Sequence, residues 1–250
     1  MGFLFLSVLL ITDTLLSASP PEHLAPQRVT YTFGKTFLQA KKLEDNPPVE
    51  IEQNQPIKIP YPYAVIASKN SYLEIYQREN DHMSIIRLGK STGLEFSEKH
   101  EIYLFQGAAL LSHRVYIKWN VHSPNSQFII QGKGTWMMEA TPLGFKVIIL
   151  EGSLGLASND NIESFQPGDL ILVTDQEGKI SQDLEVELPL VLGTSKLLNH
   201  FPGLLPSHSR LISAAQVQAM RMKKKYEAMI GGVRPNRKLE IWQIPKAEQP

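Results

Sequence analysis

The chain of 250 residues carries 25 basic and 25 acidic side chains, so its formal net charge at neutral pH is zero. A balanced charge creates no long-range field that attracts nucleic acid or anionic membranes, and we expect no nucleic-acid partner. Cysteine is absent, which excludes disulfides, cysteine-ligated zinc and a thiol nucleophile. With 42% hydrophobic residues, the chain can bury a full core, which predicts one main domain with appendages.

An apolar run, Phe3–Ile11, opens the chain and is too short to cross a bilayer, which takes about 20 residues. Small residues and then Pro20-Pro21 follow it. This pattern predicts a signal peptide over residues 1–19, a linker over 20–27, and a mature chain outside the cytoplasm without a membrane span. No Lys or Arg precedes the run, so the alternative is a buried strand of the fold.

The stretch Gln131–Val173 is rich in Val, Ile, Phe and Trp, in runs that end on Gly or Pro-Gly. Branched and aromatic side chains fit a pleated surface, and glycine supplies the backbone angles that tight turns need. The pattern therefore predicts short strands joined by turns. We expect an all-β fold, with the β-rich domain over residues 28–190.

Three motifs in this stretch follow one another at a regular spacing: Gly134-Thr135, then Val-Ile-Ile-Leu-Glu-Gly at Val147–Gly152, then Gly168-Asp169. Their order resembles the closing half of a FecR-type domain. The resemblance implies that the motif residues are Gly134, Thr135, Glu151, Gly152, Gly168 and Asp169. It also implies a periplasmic location.

In the best-understood FecR-type proteins, this domain relays the state of an outer-membrane transporter to a sigma factor. No helical anti-sigma segment precedes the β-rich region of this sequence, so the resemblance implies fold and location more than this mechanism. A truncated anti-sigma regulator is one alternative. A cupin-like β-barrel that binds a small molecule or sugar is another, because cupins share the Leu-Glu-Gly strand and the Pro-Gly-Asp turn. A cupin metal site needs clustered histidines, yet none lies between His122 and His200.

Segments of the first half resemble segments of the second half in the same order. The pairs are Ile66–Tyr72 with Ile130–Trp136, Ile85–Leu94 with Val147–Leu156, and Phe105–Leu111 with Phe165–Ile171. Two copies of one multistranded unit would bury faces that neither copy buries alone. This predicts a two-repeat β-sandwich or β-roll; chance similarity between strands is the alternative.

Residues from Val115 to His122 alternate between apolar and polar types. In a strand such alternation places Trp119 in the core and an outward row in solvent. The row, Tyr116, Lys118 and Asn120, is a candidate surface for binding a sugar or a peptide. Trp136 follows the Gly-Lys-Gly-Thr turn and is the fourth candidate, although large aromatic residues are more often buried.

The C-terminal part predicts mixed structure. Leu184–Leu188 alternates and predicts an edge strand with solvated Glu185 and Glu187. Prolines indicate a connector over residues 191–208. A hydroxyl cap and apolar residues at helical spacing predict a helix over residues 209–230 whose second half is basic, followed by a tail over 231–250.

No local signature of a common reaction class is present. The seven histidines show no metal-ligand spacing, and no Gly-x-Ser-x-Gly or P-loop motif occurs. We therefore expect no catalytic residues, no metal and no cofactor. The sequence predicts a non-enzymatic FecR-like binding or scaffold module of the bacterial cell envelope, or one associated with signalling, with an envelope protein or polysaccharide as its partner.

Overall fold

A computed structural model describes residues 27–40, 47–59, 61–79, 82–142, 144–158, 161–173 and 180–230. The predicted signal peptide, the linker up to residue 26, and the tail over 231–250 lie outside the described residues. Runs of alternating β-branched and aromatic residues form strands throughout the first three quarters of the chain, and helices follow. The prediction of an all-β fold with a C-terminal helix is confirmed.

The described chain forms fourteen strands and three helices. The strands are β1 (Gln27–Phe33), β2 (Thr36–Ala40), β3 (Val49–Glu50), β4 (Pro56–Ile57), β5 (Tyr63–Ala67), β6 (Tyr72–Glu79), β7 (His82–Leu88), β8 (Thr92–Glu98), β9 (Glu101–Ser123), β10 (Ser126–Thr141), β11 (Gly144–Ser158), β12 (Asn161–Phe165), β13 (Asp169–Val173) and β14 (Ile180–Glu185). The helices are α1 (Leu188–Thr194), α2 (Lys196–Asn199) and α3 (His208–Ile230).

All strand pairs in the described part are antiparallel. The main path through the sheet runs β14-β13-β11-β10-β9-β7-β6-β1-β4. The remaining strands attach beside it: β12 pairs with β11, while β2, β3, β5 and β8 form a second path that joins β9. β9 is therefore the strand on which both paths meet.

The β10–β11 hairpin is sharply bent, so that its two ends lie close together. Phe128 lies near its open end and Phe145 near its turn, where Phe145 pairs with Ala140. Twelve residues of straight strand would separate Phe128 from Ala140 by about 40 Å. The two phenyl rings are instead 4.9 Å apart, and the Ser126 hydroxyl donates to the carbonyl of Val173 at 3.1 Å. The sheet therefore folds back on itself and encloses its main apolar core.

The pairing pattern repeats along the chain, as the similar segments predict. In the first unit, β5 pairs with β8 and β6 pairs with β7, both antiparallel. β7 and β8 each pair in turn with β9. In the second unit, β10 lies antiparallel to β11, which pairs in turn with β12 and β13. The registers are not identical. Ile66 pairs with Gly93, whereas its counterpart Ile130 pairs with Leu156, one residue beyond the counterpart of Gly93.

The helices cover an outer face of the folded sheet. Leu188, Leu197, Leu205 and Leu211 pack with outward-facing residues of the sheet, such as Leu150, in a second apolar cluster. Burial against the sheet stabilises helices as short as α1 and α2, which would not form alone. No helix in the described part is both long and apolar enough to cross a membrane.

The structure corrects two boundaries in this region. The predicted edge strand over Leu184–Leu188 ends at Glu185, and Glu187 precedes α1 as its N-terminal cap residue. Proline in the first turn suits a helix start, because the first N–H groups of a helix have no partner within it. The predicted connector over residues 191–208 contains most of α1 and all of α2. The predicted C-terminal helix begins at His208 and ends at Ile230.

Arg87 of β7 joins the sheet to the helical layer. Its Nε donates to Glu74 at 2.7 Å, and its other nitrogens donate to the carbonyls of Leu197 and Gly203 at 3.2 and 2.6 Å. The guanidinium carbon lies 4.4 Å from the centre of the Phe201 ring. Burial lowers the pKa of Arg87, and the hydrogen bond with Glu74 opposes this effect. The pair thus ties the end of α2 to the sheet.

Candidate functional site

A bulge in β9 interrupts its pairing with β10. His113 pairs with Gly134 and Ile117 pairs with Gly132, so the residues from Arg114 to Tyr116 lie opposite the single residue Lys133. Extra residues bend a strand and break its pairing locally. On its other side, β9 pairs with β7 only as far as His113, which faces Ser84.

The alternation predicted for this part of β9 is confirmed. Trp119 and Val121 are buried, whereas Tyr116 is 65% exposed and Lys118 and Asn120 also face solvent. The three candidates from the sequence therefore form one exposed row. Whether they bind a ligand stays a prediction.

Beside this row lies a depression of about 460 Å³ that we call the β9 cleft. It is lined by His82, Ser84, His100, Val115, Tyr116, Ile117 and Lys118. These residues come from the start of β7, the turn between β8 and β9, and the bulged part of β9. Of the candidates from the sequence, Tyr116 and Lys118 line the cleft and Asn120 adjoins it.

Contacts at both ends of the β9 cleft fix its shape. At one end the Ser84 hydroxyl lies 2.6 Å from Nδ1 of His113, which is buried beneath it. At the other end the N–H of Asn120 donates to the carbonyl of His100 at 2.9 Å. The half-buried Val115 and Ile117 form an apolar floor between them, while Lys118 supplies a positive charge at the rim.

Trp136 does not belong to this surface, which corrects its place among the candidates. Its side chain is 0% exposed, and its ring packs 5.7 Å from the ring of His113. The Gly-Lys-Gly-Thr pattern predicts a turn before Trp136. Gly132 and Gly134 instead lie inside the continuous strand β10, so Trp136 points into the core.

Of the motif residues, Thr135 and Glu151 hold the sheet and α3 together. The Thr135 hydroxyl lies 2.9 Å from the hydroxyls of Ser112 and Ser207 and donates to Glu151 at 3.2 Å. Arg210 of α3 donates to the same carboxylate at 3.0 Å. Ser207 directly precedes α3, and its carbonyl accepts the N–H of Leu211. This polar cluster therefore fixes where α3 begins.

Gly134 and Gly152 face each other where the hairpin bends. A Cβ atom on Gly134 would lie 2.1 Å from the carbonyl oxygen of Glu151. A Cβ atom on Gly152 would lie 2.1 Å from the carbonyl oxygen of Lys133. Both residues also have positive φ angles, 143° and 87°. The two glycines permit a backbone approach that no larger residue allows.

Gly168 and Asp169 shape the turn on which the middle of α3 rests. The Asp169 carboxylate accepts the N–H of Gln166 at 2.8 Å, closing the turn. A Cβ atom on Gly168 would meet the Gln218 side chain at 2.2 Å. Gln218 in turn bonds the N–H of Leu188 and the carbonyl of Val186, on either side of the N-terminal cap residue of α1.

The second half of α3 is held to β14 by charge. Arg221 donates to Glu185 at 2.6 Å, and Lys225 lies 3.6 Å from the same carboxylate. The hydrogen bond with Arg221 holds the pKa of Glu185 below its usual value. Two of the basic residues in the second half of this helix, Arg221 and Lys225, therefore pair with a carboxylate of the same chain.

A groove of about 450 Å³ lies between α1, the segment before α3, and α3 itself. Its lining is mainly apolar and includes Leu192, Leu198, Leu204 and Ile212. Among the described residues, no group of three His, Asp or Glu side chains comes together to hold a metal ion.

No protein-family model and no curated protein sequence matches the chain. Two solved structures of a proposed anti-sigma factor from Parabacteroides distasonis are similar to it, with TM-scores of 0.39 and 0.37 and sequence identities of 12% and 13%. The matched regions cover 52% and 49% of this chain, and 64% and 59% of those chains. The chain thus spans less than two thirds of these structures, and a likeness at such low TM-scores carries no information about activity or partners.

Proposed function

We propose that the protein is a non-enzymatic binding module with a FecR-like β-fold, which acts in the bacterial cell envelope outside the cytoplasm. It binds an envelope protein or polysaccharide, as a scaffold or as part of a signalling system. The observation that carries the proposal is the β9 cleft, where Tyr116 and Lys118 lie exposed beside a depression of about 460 Å³.

The make-up of the β9 cleft supports ligand binding. Binding sites are concave, mostly apolar, and carry a few polar groups that orient the ligand. Here Val115 and Ile117 supply the apolar floor, and His82, His100 and Lys118 supply polar groups at the rim. Tyrosine suits such a place because its ring offers a large contact area together with a hydroxyl that can hydrogen-bond.

The use of the ionisable groups supports a non-enzymatic role. Glu74 and Glu151 are buried, and each is bound to an arginine that fixes a helix to the sheet. A cupin-like enzyme would need an acid-base set or an ion among the core-facing side chains of β11 and β13. Those side chains are apolar: Val147, Ile149, Leu154, Leu156, Ile171 and Val173.

A bulky residue at the rim tests the site. His82 lines the β9 cleft, whereas the neighbouring exposed Met83 does not. We expect His82→Trp to weaken binding of the full chain to its ligand by about tenfold or more, with Met83→Trp changing it little. The probes are soluble peptidoglycan fragments and a library of random extended peptides, each measured by affinity with the purified chain.

Equal affinities for both tryptophan variants and the wild type would place the site elsewhere. If neither class of probe binds above background, the proposed function is wrong. Leu204→Trp fills the groove beside α3 and is the matched test for that surface, because a loss confined to this variant would transfer the site there.

The location is tested separately. Cell fractionation followed by mass spectrometry of the N-terminus should find the mature chain outside the cytoplasm, beginning between Ala18 and His23. A cytoplasmic protein that retains Met1 and Phe3 would contradict the proposed location while leaving the β9 cleft as a binding site.

A further inference from the structure

We infer that the β9 cleft takes an extended polypeptide segment, which adds to the open edge of β9 as an extra strand. This inference rests on the proposed function and names the class of its ligand. Strand addition gains affinity from backbone hydrogen bonds and specificity from alternate side chains.

The open edge lies between two covered parts of β9. On this side β7 pairs with β9 as far as His113, and the carbonyl of His100 covers Asn120. Between these points lie residues Arg114 to Lys118. Their edge of β9 away from β10 pairs with no strand of the described part. The gap is about 17 Å long in extended chain, enough for a short strand.

The backbone of Lys118 points toward this gap. In β9, Asn120 lies opposite Ile129 of β10, but its N–H donates to the carbonyl of His100 instead of to β10. The backbone groups of Asn120 therefore point away from β10. In an antiparallel ladder such positions recur at every second residue. The N–H and C=O of Lys118, two residues earlier, therefore point into the β9 cleft and are placed to pair with an incoming strand.

The side chains around the gap define the chemistry of the segment. A strand beside β9 places alternate residues on the core side, next to Ile117, and on the solvent side, next to Tyr116 and Lys118. The matching segment alternates apolar and polar residues and has a carboxylate opposite Lys118. A polysaccharide has no regular series of N–H and C=O groups and would rely on the side chains of Tyr116, Lys118 and Asn120.

Bulges and edge lysines also serve to prevent strand pairing in many sheets. That role predicts that no peptide pairs with β9, so the two readings give opposite results. The test begins with a peptide selected on the full protein from a random displayed library and then synthesised.

Methylating backbone nitrogens of this peptide one at a time leaves the protein unchanged. We expect methylation at alternate positions to weaken binding by about tenfold or more, with little effect at the positions between them, because only every second N–H faces β9. In the complex, the Lys118 amide should exchange with deuterium more slowly than in the free protein.

Lys118→Ala keeps the backbone donor and should reduce affinity only by a small factor, whereas Lys118→Pro removes the donor and should abolish binding. Proline at an open edge is compatible with a sheet, and an unchanged urea midpoint would show that the variant folds.

The outcomes separate this inference from the proposed function. One outcome is that peptidoglycan fragments bind, that Tyr116→Ala and Asn120→Ala abolish this binding, and that methylation of the peptide shows no alternating pattern. This outcome would overturn strand addition and keep a ligand site at the β9 cleft. A selected peptide that is insensitive to both His82→Trp and Lys118→Pro would also overturn strand addition. Failure of both probes to bind would overturn the proposed function itself.

Discussion

The guanidinium group of Arg87 contacts the sheet, the end of α2 and the ring of Phe201 at once. Because it is buried together with Glu74, removing the arginine leaves an uncompensated carboxylate and unpaired carbonyls in the interior. We expect Arg87→Met to reduce the free energy of unfolding by about 3–5 kcal/mol, measured by urea denaturation.

The matched control is Arg221→Met, which breaks the more exposed pair with Glu185. Partly exposed ion pairs contribute about 1 kcal/mol or less. Similar losses for both arginine variants would contradict the role assigned to Arg87. The double variant Arg87→Met with Glu74→Leu should recover part of the loss, since it removes the orphaned charge.

The indole N–H of Trp136 has no hydrogen-bond partner among the described residues, although the ring is buried. Phenylalanine removes this donor and keeps most of the apolar contact, so Trp136→Phe should change stability by no more than about 1 kcal/mol. Trp136→Ala should cost about 3–5 kcal/mol because it leaves a cavity. Thermal unfolding of both variants checks the pair, and equal losses in the two variants would contradict this expectation.

At the scale of an element, α3 depends on the turn at Gly168. A side chain at this position meets Gln218 and also requires an unfavourable backbone angle, since φ is 100°. We expect Gly168→Ala to destabilise the protein by more than about 1 kcal/mol and to speed hydrogen exchange in α3. Gly193 in α1 has no atom near its Cβ position, so Gly193→Ala should be neutral or slightly stabilising.

The tie between α3 and β14 depends on pH. Because the folded pKa of Glu185 is depressed, mainly by Arg221, the ionised carboxylate stabilises the folded state. This contribution is present above the ordinary glutamate pKa of about 4.3 and is lost as the pH falls through the folded value. Urea midpoints of wild type and Glu185→Gln should differ at neutral pH and converge in acid. A constant difference would rule out this titration.

How far the sequence predicts each element depends on how local its signal is. The alternation in β9 and the helical spacing after Ser209 are periodic patterns within one segment, and both were correctly predicted. The segment that forms α1 shows no such pattern, and proline and glycine lie within it. That helix exists because Leu188 is buried against the sheet, which is a tertiary effect.

The candidate site could be predicted only in part for the same reason. Tyr116, Lys118 and Asn120 share one strand, so alternation was enough to place them together. His82, Ser84 and His100 come from other elements, and nothing in their sequence neighbourhood indicates that they share a cleft. The sequence makes Trp136 a candidate only because the glycines before it resemble a turn; they lie within β10, and the ring is buried, as is usual for large aromatic residues.

At the scale of the whole molecule, the folded sheet should unfold as one unit. One apolar core contains residues from nearly every strand, and β9 belongs to both paths of the sheet. We expect urea unfolding followed by tryptophan fluorescence to coincide with unfolding followed by far-ultraviolet circular dichroism. Two separated transitions would show that the two repeated units are independent.

The repeated units meet along the β9–β10 ladder, which the turn between Ser123 and Ser126 joins. A polypeptide divided at that turn would keep the remaining strand pairs within one fragment or the other. The fragments would have to rebuild this ladder, the apolar core that both units share, and the contacts of the helical layer with the first unit, among them those of Ile85, Leu110 and Arg87. The protein is therefore a natural candidate for reconstitution from two separately expressed halves.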